Sequence, residues 1–329
     1  MNDWKIRKTL IVILSLQAAV FGIVASEAIG LRIPIVRETL SVIYLVFVPG
    51  VLILRILRIH RLASAETFLI TVGTSVVSWM ITGLLMNAIY PLIGIARPFS
   101  TIPLTATLGA ITLILSAISY VRDKRFSNAC NISAKRLLSP TLLIVSFPLL
   151  AVSGVIFANL YQSNTLLVVL IPLIGIVACL VIFEKVIPRK LFSLVVAMMA
   201  LTLLYHRSLI SRYLTGVDIW TEYYLYSLVE ANGIWNPATP LFHYNSMLSI
   251  TILPAMYSSQ SSLDGMQVYK IIFPFIFSLV PVVLYCSYEK QFGPKVAFLS
   301  AFLFMSTMTL YTEMAVSYTH LRAHETVLD

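Results

Sequence analysis

The chain has 329 residues, of which 59% are hydrophobic and 11% are charged, and its formal net charge is +9. Soluble globular proteins carry about 25% charged residues, so this composition excludes an ordinary soluble protein. A mean hydropathy of +0.91 leaves no polar stretch long enough for a soluble domain. The excess of Lys and Arg is what cytoplasmic loops of a membrane protein require. We therefore predict a polytopic all-α membrane protein whose partner is membrane lipid and which binds no nucleic acid.

Apolar stretches of membrane-spanning length recur along most of the chain. A membrane helix needs about 20 mostly apolar residues. On that template the sequence predicts nine spans, near residues 10–28, 40–54, 68–86, 102–120, 138–158, 166–183, 191–205, 268–288 and 296–311. Pro49, Pro148 and Pro172 lie within or beside spans and predict kinks, with neighbouring helices satisfying the freed carbonyls.

One further apolar stretch is too short to span a bilayer. Residues 246–257 number twelve and include Pro254, which favours a re-entrant or interfacial helix. If this stretch crossed the membrane, Lys290 and Lys295 would lie outside the cytoplasm. If it does not cross, these lysines join the other cytoplasmic charges, and the charge rule favours this second arrangement.

Lys and Arg are distributed unevenly between the loops. Fourteen of them precede the first span or follow the second, fourth and sixth spans: Lys5, Arg7, Lys8, Arg55, Arg58, Arg61, Arg122, Lys124, Arg125, Lys135, Arg136, Lys185, Arg189 and Lys190. The loops after the first, third and fifth spans hold only Arg32, Arg37 and Arg97. Because Lys and Arg accumulate in cytoplasmic loops, we predict a plasma-membrane protein with a cytoplasmic N-terminus and an extracytoplasmic loop 206–245.

A change in character near residue 190 predicts two modules. Residues 1–190 hold six spans joined by short loops, whereas residues 191–315 begin with one span and continue into the long outer loop 206–245.

The sequence contains no recognisable cofactor motif. The three cysteines lie far apart, and neither a zinc-type spacing nor a nucleotide-binding motif is present. The cofactor is therefore unknown, with a divalent metal still open.

The outer loop contains one clear helix signal. The sequence predicts a helix from Ile219 to about Ala231, with Asp218 as its N-cap and Asn232-Gly233 as its stop. Its aromatic residues give it a surface suited to the headgroup level of a bilayer.

The same loop carries the candidate chemistry. Asp218 and Glu222 are four residues apart and hence neighbours on one helix face. Such an acidic pair can deprotonate a hydroxyl, while Arg207 and Arg212 just upstream hold a lipid-linked phosphate. The alternative is structural, since acids in the first turn of a helix are favoured by helix electrostatics alone.

Four segments follow one another between residues 190 and 315: the aromatic helix GVDIWTEYYLY, the span VYKIIFPFIFSLVPVVLY, the short loop EKQFGPK and the span AFLSAFLF. This layout resembles the start of the GT-C glycosyltransferases. The resemblance implies transfer of sugars from polyprenyl-phosphate carriers on the outer face. It also implies that Asp218 acts on the acceptor, that Lys270 contacts the carrier phosphate and that Glu313 is a further acid at the substrate. Six additional spans precede the loop, a departure from the family, in which the catalytic loop follows the first span.

Other segments are similar to a family of archaeal multi-spanning membrane proteins of unknown function. They are IYLVFVPGVLILRIL, SYVRDKRFS, YNSMLSITILPAMY and YEKQFGPKVAFLSAFLFMS.

The last residues of the chain have a different character. Residues 316–326 read VSYTHLRAHET, which is similar to a translated transposase and adapter sequence from DNA library preparation. We therefore expect residues 316–329 not to be native and the natural protein to continue beyond Ala315.

Two other classes of function remain open at this stage. A transporter usually has ionisable residues or broken helices within the membrane, and the first six spans have almost none in their interiors. A non-enzymatic assembly or lipid-binding protein would use the outer loop only for helix capping and interfacial anchoring. The glycosyltransferase interpretation places the chemistry at Asp218.

Overall fold

The computed structural model describes residues 4–31, 33, 35–60, 62–124, 140–183, 187–216, 218–239, 242–307 and 310. Every regular element within these residues is a helix. The predicted all-α architecture is therefore confirmed for the described part of the chain. Glu313 and the segment 316–329 lie outside the described residues.

The helices follow the predicted order. The first seven are α1 (Ile6–Ala28), α2 (Val36–Ile56), α3 (Ser64–Ile89), α4 (Thr101–Asp123), α5 (Pro140–Tyr161), α6 (Thr165–Ile182) and α7 (Phe192–Ser208). Shorter helices follow as α8 (Asp218–Asn232), α9 (Phe242–Asn245), α10 (Ile252–Ser261), α11 (Gly265–Gln267), α12 (Phe273–Phe277), α13 (Val280–Phe292) and α14 (Pro294–Ser306). A π-helical turn, Val268–Ile272, joins α11 to α12.

Eight helical segments of the described chain are long and apolar enough to cross a membrane. Seven contain α1 to α7, and the eighth is the continuous path Gly265–Phe292 from α11 to α13. They match the first eight predicted spans. The ninth predicted span, 296–311, corresponds to α14, a helix of 13 residues, and residues 308, 309 and 311 lie outside the described chain.

The chain divides into two compact units, and each is built from two separate stretches of sequence. The first unit comprises Met1–Asn131 and Thr221–Val268, and the second comprises Ile132–Trp220 and Tyr269–Asp329. The predicted boundary near residue 190 falls between α6 and α7, both of which belong to the second unit. The loop 206–245 contributes residues to both units.

Helix α2 is the centre of the first unit, where it packs against α1, α3, α4 and α10. Pro49 within α2 cannot donate to the carbonyl of Leu45, four residues earlier. Trp79 of α3, which is fully buried, donates its indole N–H to that carbonyl over 2.7 Å. A neighbouring helix therefore satisfies the group that Pro49 frees, as the sequence predicted.

The short apolar stretch after the loop 206–245 forms α10, a helix of ten residues. It begins six residues later than the predicted segment 246–257, because residues 246–251 form turns. All but one of the residues of α10 are buried, against α2, α3 and α4. At 1.5 Å per residue the helix is about 15 Å long, too short to span a bilayer core by itself. Its burial explains why an apolar sequence is needed there.

The stretch Thr221–Val268 packs at one end of the helices of the first unit. Phe99 N–H donates to the carbonyl of Gly233 over 2.9 Å, and Asn87 Nδ2 donates to the carbonyl of Trp235 over 2.9 Å. Asn87 and Phe99 lie near the α3–α4 connection. The later part of the loop 206–245 and the α3–α4 connection therefore share one end of this unit.

The second unit is organised around α7, which contacts α5, α6, α12, α13 and α14. The rings of Phe192 in α7 and Phe298 in α14 are both fully buried and lie 5.8 Å apart. Gly293 joins α13 to α14 with a φ of 81°, which a residue with a side chain rarely adopts. The glycine of the EKQFGPK loop therefore allows the sharp reversal between these two helices.

Candidate functional site

The end of α7 carries the first of the predicted phosphate-binding residues. Arg207 lies in the last turn of α7 and Arg212 lies in the loop that follows, and both are exposed. Among the described residues, neither guanidinium group has a hydrogen bond or an ion pair. The planar fork of N–H donors in arginine matches the geometry of a phosphate. Both side chains are therefore available to an anionic group.

Lys270 lies at an irregular point of the Gly265–Phe292 path, within the π-helical turn. In a regular helix its carbonyl would accept from the N–H of residue 274, but that residue is Pro274, which has no N–H. Ser208 Oγ donates to the Lys270 carbonyl over 2.9 Å. Tyr205 OH donates to the next carbonyl, that of Ile271, over 3.2 Å. The last turn of α7 therefore compensates for the irregular helix.

The Lys270 ammonium group reaches the loop after α7. Its Nζ donates to the carbonyl of Ser211, which is its one hydrogen-bond partner among the described residues. An ammonium group has three donors, so two remain for a ligand. Because Ser211 precedes Arg212 and Ser208 follows Arg207, these contacts hold Lys270 against the chain segment that carries both arginines. We call Arg207, Arg212 and Lys270 the cationic cluster.

Asp218 is the first residue of α8 and is partly exposed. The helix begins one residue earlier than predicted, which is within the usual variation of helix ends. At the N-terminus of a helix the backbone dipole stabilises a carboxylate. At the other end, Gly233 has a φ of 68° and its N–H donates to the carbonyl of Val229 over 2.8 Å. The predicted stop at Asn232-Gly233 is confirmed.

Glu222 lies one turn after Asp218 in α8, but its environment differs. Its exposed fraction is 2%, whereas Asp218 is partly exposed. A general base must come within hydrogen-bond distance of the proton that it removes. Of the two acids, Asp218 is therefore the more accessible to an acceptor, and the catalytic role of Glu222 stays a prediction.

Two ion pairs in the first unit lie outside the predicted site. Arg55 and Asp123 are 0% and 3% exposed, and their Nη1 and Oδ2 atoms are 2.7 Å apart. His60 Nε2 lies 2.9 Å from the other oxygen of Asp123. Near the opposite ends of α1 and α2, Arg37 pairs with Glu27. In the sequence these arginines are recognisable only as loop charges, because the partner of each lies in another helix.

A polar group near the end of α8 was also missed. Ser258 Oγ donates to Glu230 Oε1 over 2.7 Å. Burial raises the pKa of Tyr226 above its usual value, and the neighbouring Glu230 carboxylate raises it further. Burial, followed by the charges of Asp264 and Glu230, also raises the pKa of Tyr223. Both phenols therefore keep their protons at neutral pH.

A small cleft opens beside α8 and the residues that follow it. Its volume is about 60 Å³, far below the roughly 300–1,000 Å³ of typical ligand pockets. Its lining residues are Leu225, Leu228, Val229, Asn232, Ile234, Asn236, Thr239 and Asn245. The cleft has room for a few water molecules and not for a sugar, so it is a poor candidate for the substrate site.

Among the described residues, no group of three or more His, Cys, Asp or Glu side chains is arranged to hold a metal ion. Comparisons with family models, with curated proteins and with solved structures return no match to the chain. Any function must therefore be inferred from the chain's own residues. Within the described part of the second unit, the predicted site residues are the cationic cluster and Asp218, and ligands can reach them.

Proposed function

We propose that the chain is an integral membrane glycosyltransferase that takes a sugar from a polyprenyl-phosphate carrier at the outer face of the plasma membrane. The observation that carries this proposal is the contact of Lys270 with Ser211. That contact holds a third cation against the segment that carries the two exposed arginines, Arg207 and Arg212. Three cations at the end of an apolar helix suit a ligand with a charged headgroup and an apolar tail.

The proposed reaction uses the cationic cluster and Asp218 in different roles. An acceptor hydroxyl attacks the anomeric carbon of the sugar while the Asp218 carboxylate takes the hydroxyl proton. The bond between that carbon and the phosphate oxygen breaks, and the carrier leaves as a polyprenyl phosphate. The cationic cluster stabilises the negative charge that develops on the leaving phosphate. A sugar glycoside and the carrier phosphate are the two products.

The orientation of the chain is part of this proposal. The count of Lys and Arg supports a cytoplasmic N-terminus and an outer loop 206–245. The packing of Thr221–Val268 at the α3–α4 connection supports it further, because that connection belongs to the loops poor in Lys and Arg. Polyprenyl-linked sugars would meet Asp218 on that face.

Sugar transfer is tested with membranes from cells that produce the full chain. Radiolabelled polyprenyl-phosphate mannose and polyprenyl-phosphate glucose serve as donors, and loss of label from the lipid is measured. Asp218→Asn should lower that rate by at least about 100-fold, the usual contribution of a general base. Glu230→Gln is the matched control, because Glu230 is an exposed acid of the same helix.

The amount of each variant in the membrane fraction shows whether it inserts normally. An unchanged rate for Asp218→Asn would remove this residue from the mechanism. Binding of polyprenyl phosphate without any loss of label, for either donor, would favour the non-enzymatic lipid-binding alternative.

A further inference from the structure

Helix α4 presents a row of polar residues to the interior of the first unit. These residues are Thr105, Thr112, Ser116, Ser119 and Asp123, and each is at most 8% exposed. Their spacing of seven, four, three and four residues keeps them on one helix face. From first to last the row is about 27 Å long at 1.5 Å per residue, close to the roughly 30 Å thickness of a bilayer core. Small polar residues also allow close packing of membrane helices, so the row alone does not indicate a function.

One end of the row meets the C-terminal end of α10. Thr105 Oγ1 donates to Gln260 Oε1 over 2.9 Å. Arg37 Nε and Nη2 donate to the carbonyls of Gln260 and Ser259 over 3.1 and 2.8 Å, and Arg37 also pairs with Glu27. The side chain of Glu27 is 18% exposed, so this end of the row reaches solvent.

The middle of the row is joined by residues of α1 and α2. Tyr44 OH lies 2.7 Å from Thr112 Oγ1 and donates to the carbonyl of Leu108 over 3.0 Å. Gln17 Nε2 donates to the carbonyl of Gly109 over 3.2 Å. Hydroxyl and amide groups from three helices therefore meet at mid-height of the interface.

At the other end of the row, Asp123 forms a buried ion pair with Arg55. Asp123 accepts from Arg55 Nη1, and Arg55 Nη2 also donates to Thr9 Oγ1 over 3.0 Å. His60 contacts the second oxygen of Asp123, and its side chain is 10% exposed. The Asp123 and His60 pair thus connects the buried row to the surface at this end.

Four buried polar atoms along this row have no hydrogen-bond partner among the described residues. They are Gln17 Oε1, Ser116 Oγ, Ser119 Oγ and Gln260 Nε2. Their residues are at most 6% exposed. A buried polar group without a partner is costly, and bound water usually supplies the missing hydrogen bonds. Packing alone would not select serine and glutamine at these positions, where alanine and leucine avoid the cost.

We propose that the interface of α1, α2 and α4 is a hydrated pathway that conducts protons between the two ends of the first unit. A proton enters at His60 and Asp123 at one end, or at Glu27 at the other. Each hydroxyl or water along the row accepts one proton and passes on another, so one proton leaves for each that enters. No electrons move, and a difference in pH across the membrane sets the direction. This activity is independent of the proposed sugar transfer.

Proton conduction is measured with the full chain reconstituted in liposomes that contain a pH-sensitive dye. After an external pH jump, liposomes with the protein should equilibrate faster than empty liposomes. The double variant Ser116→Ala and Ser119→Ala should slow this rate about tenfold, equivalent to about 1.4 kcal/mol on the rate-limiting step. Ser287→Ala is the matched control, because Ser287 is exposed and bonds only to its own helix. Rates equal to those of empty liposomes, or equal for both variants, would overturn the proposal.

A second measurement does not depend on the double variant folding correctly. In a cysteine-free chain, Ser116→Cys is compared with Leu113→Cys, whose side chain is at nearly the same height but is 54% exposed on the outside of the unit. Thiols react with a small water-soluble methanethiosulfonate only where water reaches them, because the thiolate is the nucleophile. Faster reaction at Ser116→Cys supports a hydrated pathway. Equal or slower reaction there contradicts it.

Discussion

At the level of single residues, both units contain the same arrangement of a helix proline and a side-chain hydrogen-bond donor. A proline within a helix frees a carbonyl, and a side chain of a neighbouring helix donates to it: Trp79 to Leu45, and Ser208 to Lys270. The sequence predicts that Pro49 needs such a donor, since proline lacks an N–H. It does not predict which side chain serves, because Trp79 lies 34 residues from its acceptor. The donor is determined by how helices pack.

We expect Ser208→Ala to destabilise the protein by about 1 kcal/mol, since the part-buried Lys270 carbonyl loses its hydrogen bond. Ser306→Ala is the control, because Ser306 is exposed and bonds only within its own helix. Thermal unfolding in detergent measures both changes. Equal transition temperatures for the two variants would show that the Ser208 contact does not stabilise the fold.

Some properties of the site residues can be predicted from the sequence and others cannot. Asp218 and the two arginines were identified from a loop whose chemistry is local in sequence. Lys270 was predicted to contact a phosphate, and the structure adds that its ammonium group contacts the carbonyl of Ser211. The burial of Glu222 at 2% exposure was not predictable, because it depends on residues that pack against α8 from elsewhere in the chain.

At the scale of elements, hydropathy predicted the helices well and their ends less well. The helix α2 extends over Val36–Ile56, whereas the apolar window was 40–54. The first and last turns of α2 contain Arg37 and Arg55. These charged turns belong to the helix but lie outside the apolar window. The position of α10 depends on close packing, which hydropathy does not report. Gly83 of α3 provides the space for it.

We expect Gly83→Ala to destabilise the protein by about 1–3 kcal/mol through overpacking. An added Cβ would lie 2.3 Å from Ile252 Cγ2 and 2.8 Å from Met256 Sδ, both in α10. Gly73→Ala is the matched control, because a Cβ there meets nothing within 4 Å and alanine favours the same helix. Thermal unfolding in detergent compares them. A Gly83→Ala variant as stable as Gly73→Ala would contradict the close packing of α10 on α3.

At the scale of the whole molecule, the two units are interleaved along the chain. The composition changes near residue 190, but the first unit ends at Asn131 and resumes at Thr221. Hydropathy describes each stretch by itself and does not report which distant stretches pack together. The contacts of Arg37 with Ser259 and Gln260, more than 200 residues away, show why this level of organisation was not predictable.

The predicted orientation is tested by thiol labelling in intact cells. In a cysteine-free chain, we expect Thr215→Cys to react with a membrane-impermeant thiol reagent and Lys124→Cys to be protected, because Lys and Arg mark the cytoplasmic loops. Permeabilised cells provide the control, in which both positions should react. The reverse pattern in intact cells would invert the topology and place Asp218 in the cytoplasm.

Binding of a lipid-linked phosphate at the cationic cluster is measured by native mass spectrometry of the full chain. The probes are a polyprenyl monophosphate and the neutral polyprenol of the same length. We expect selective binding of the phosphate, weakened about 10- to 100-fold in Arg212→Gln and in Lys270→Gln by loss of a charge-assisted hydrogen bond. Lys190→Gln, at the other end of α7, should leave binding unchanged. Equal binding of phosphate and alcohol, or equal effects of all three substitutions, would contradict a phosphate site at the cationic cluster.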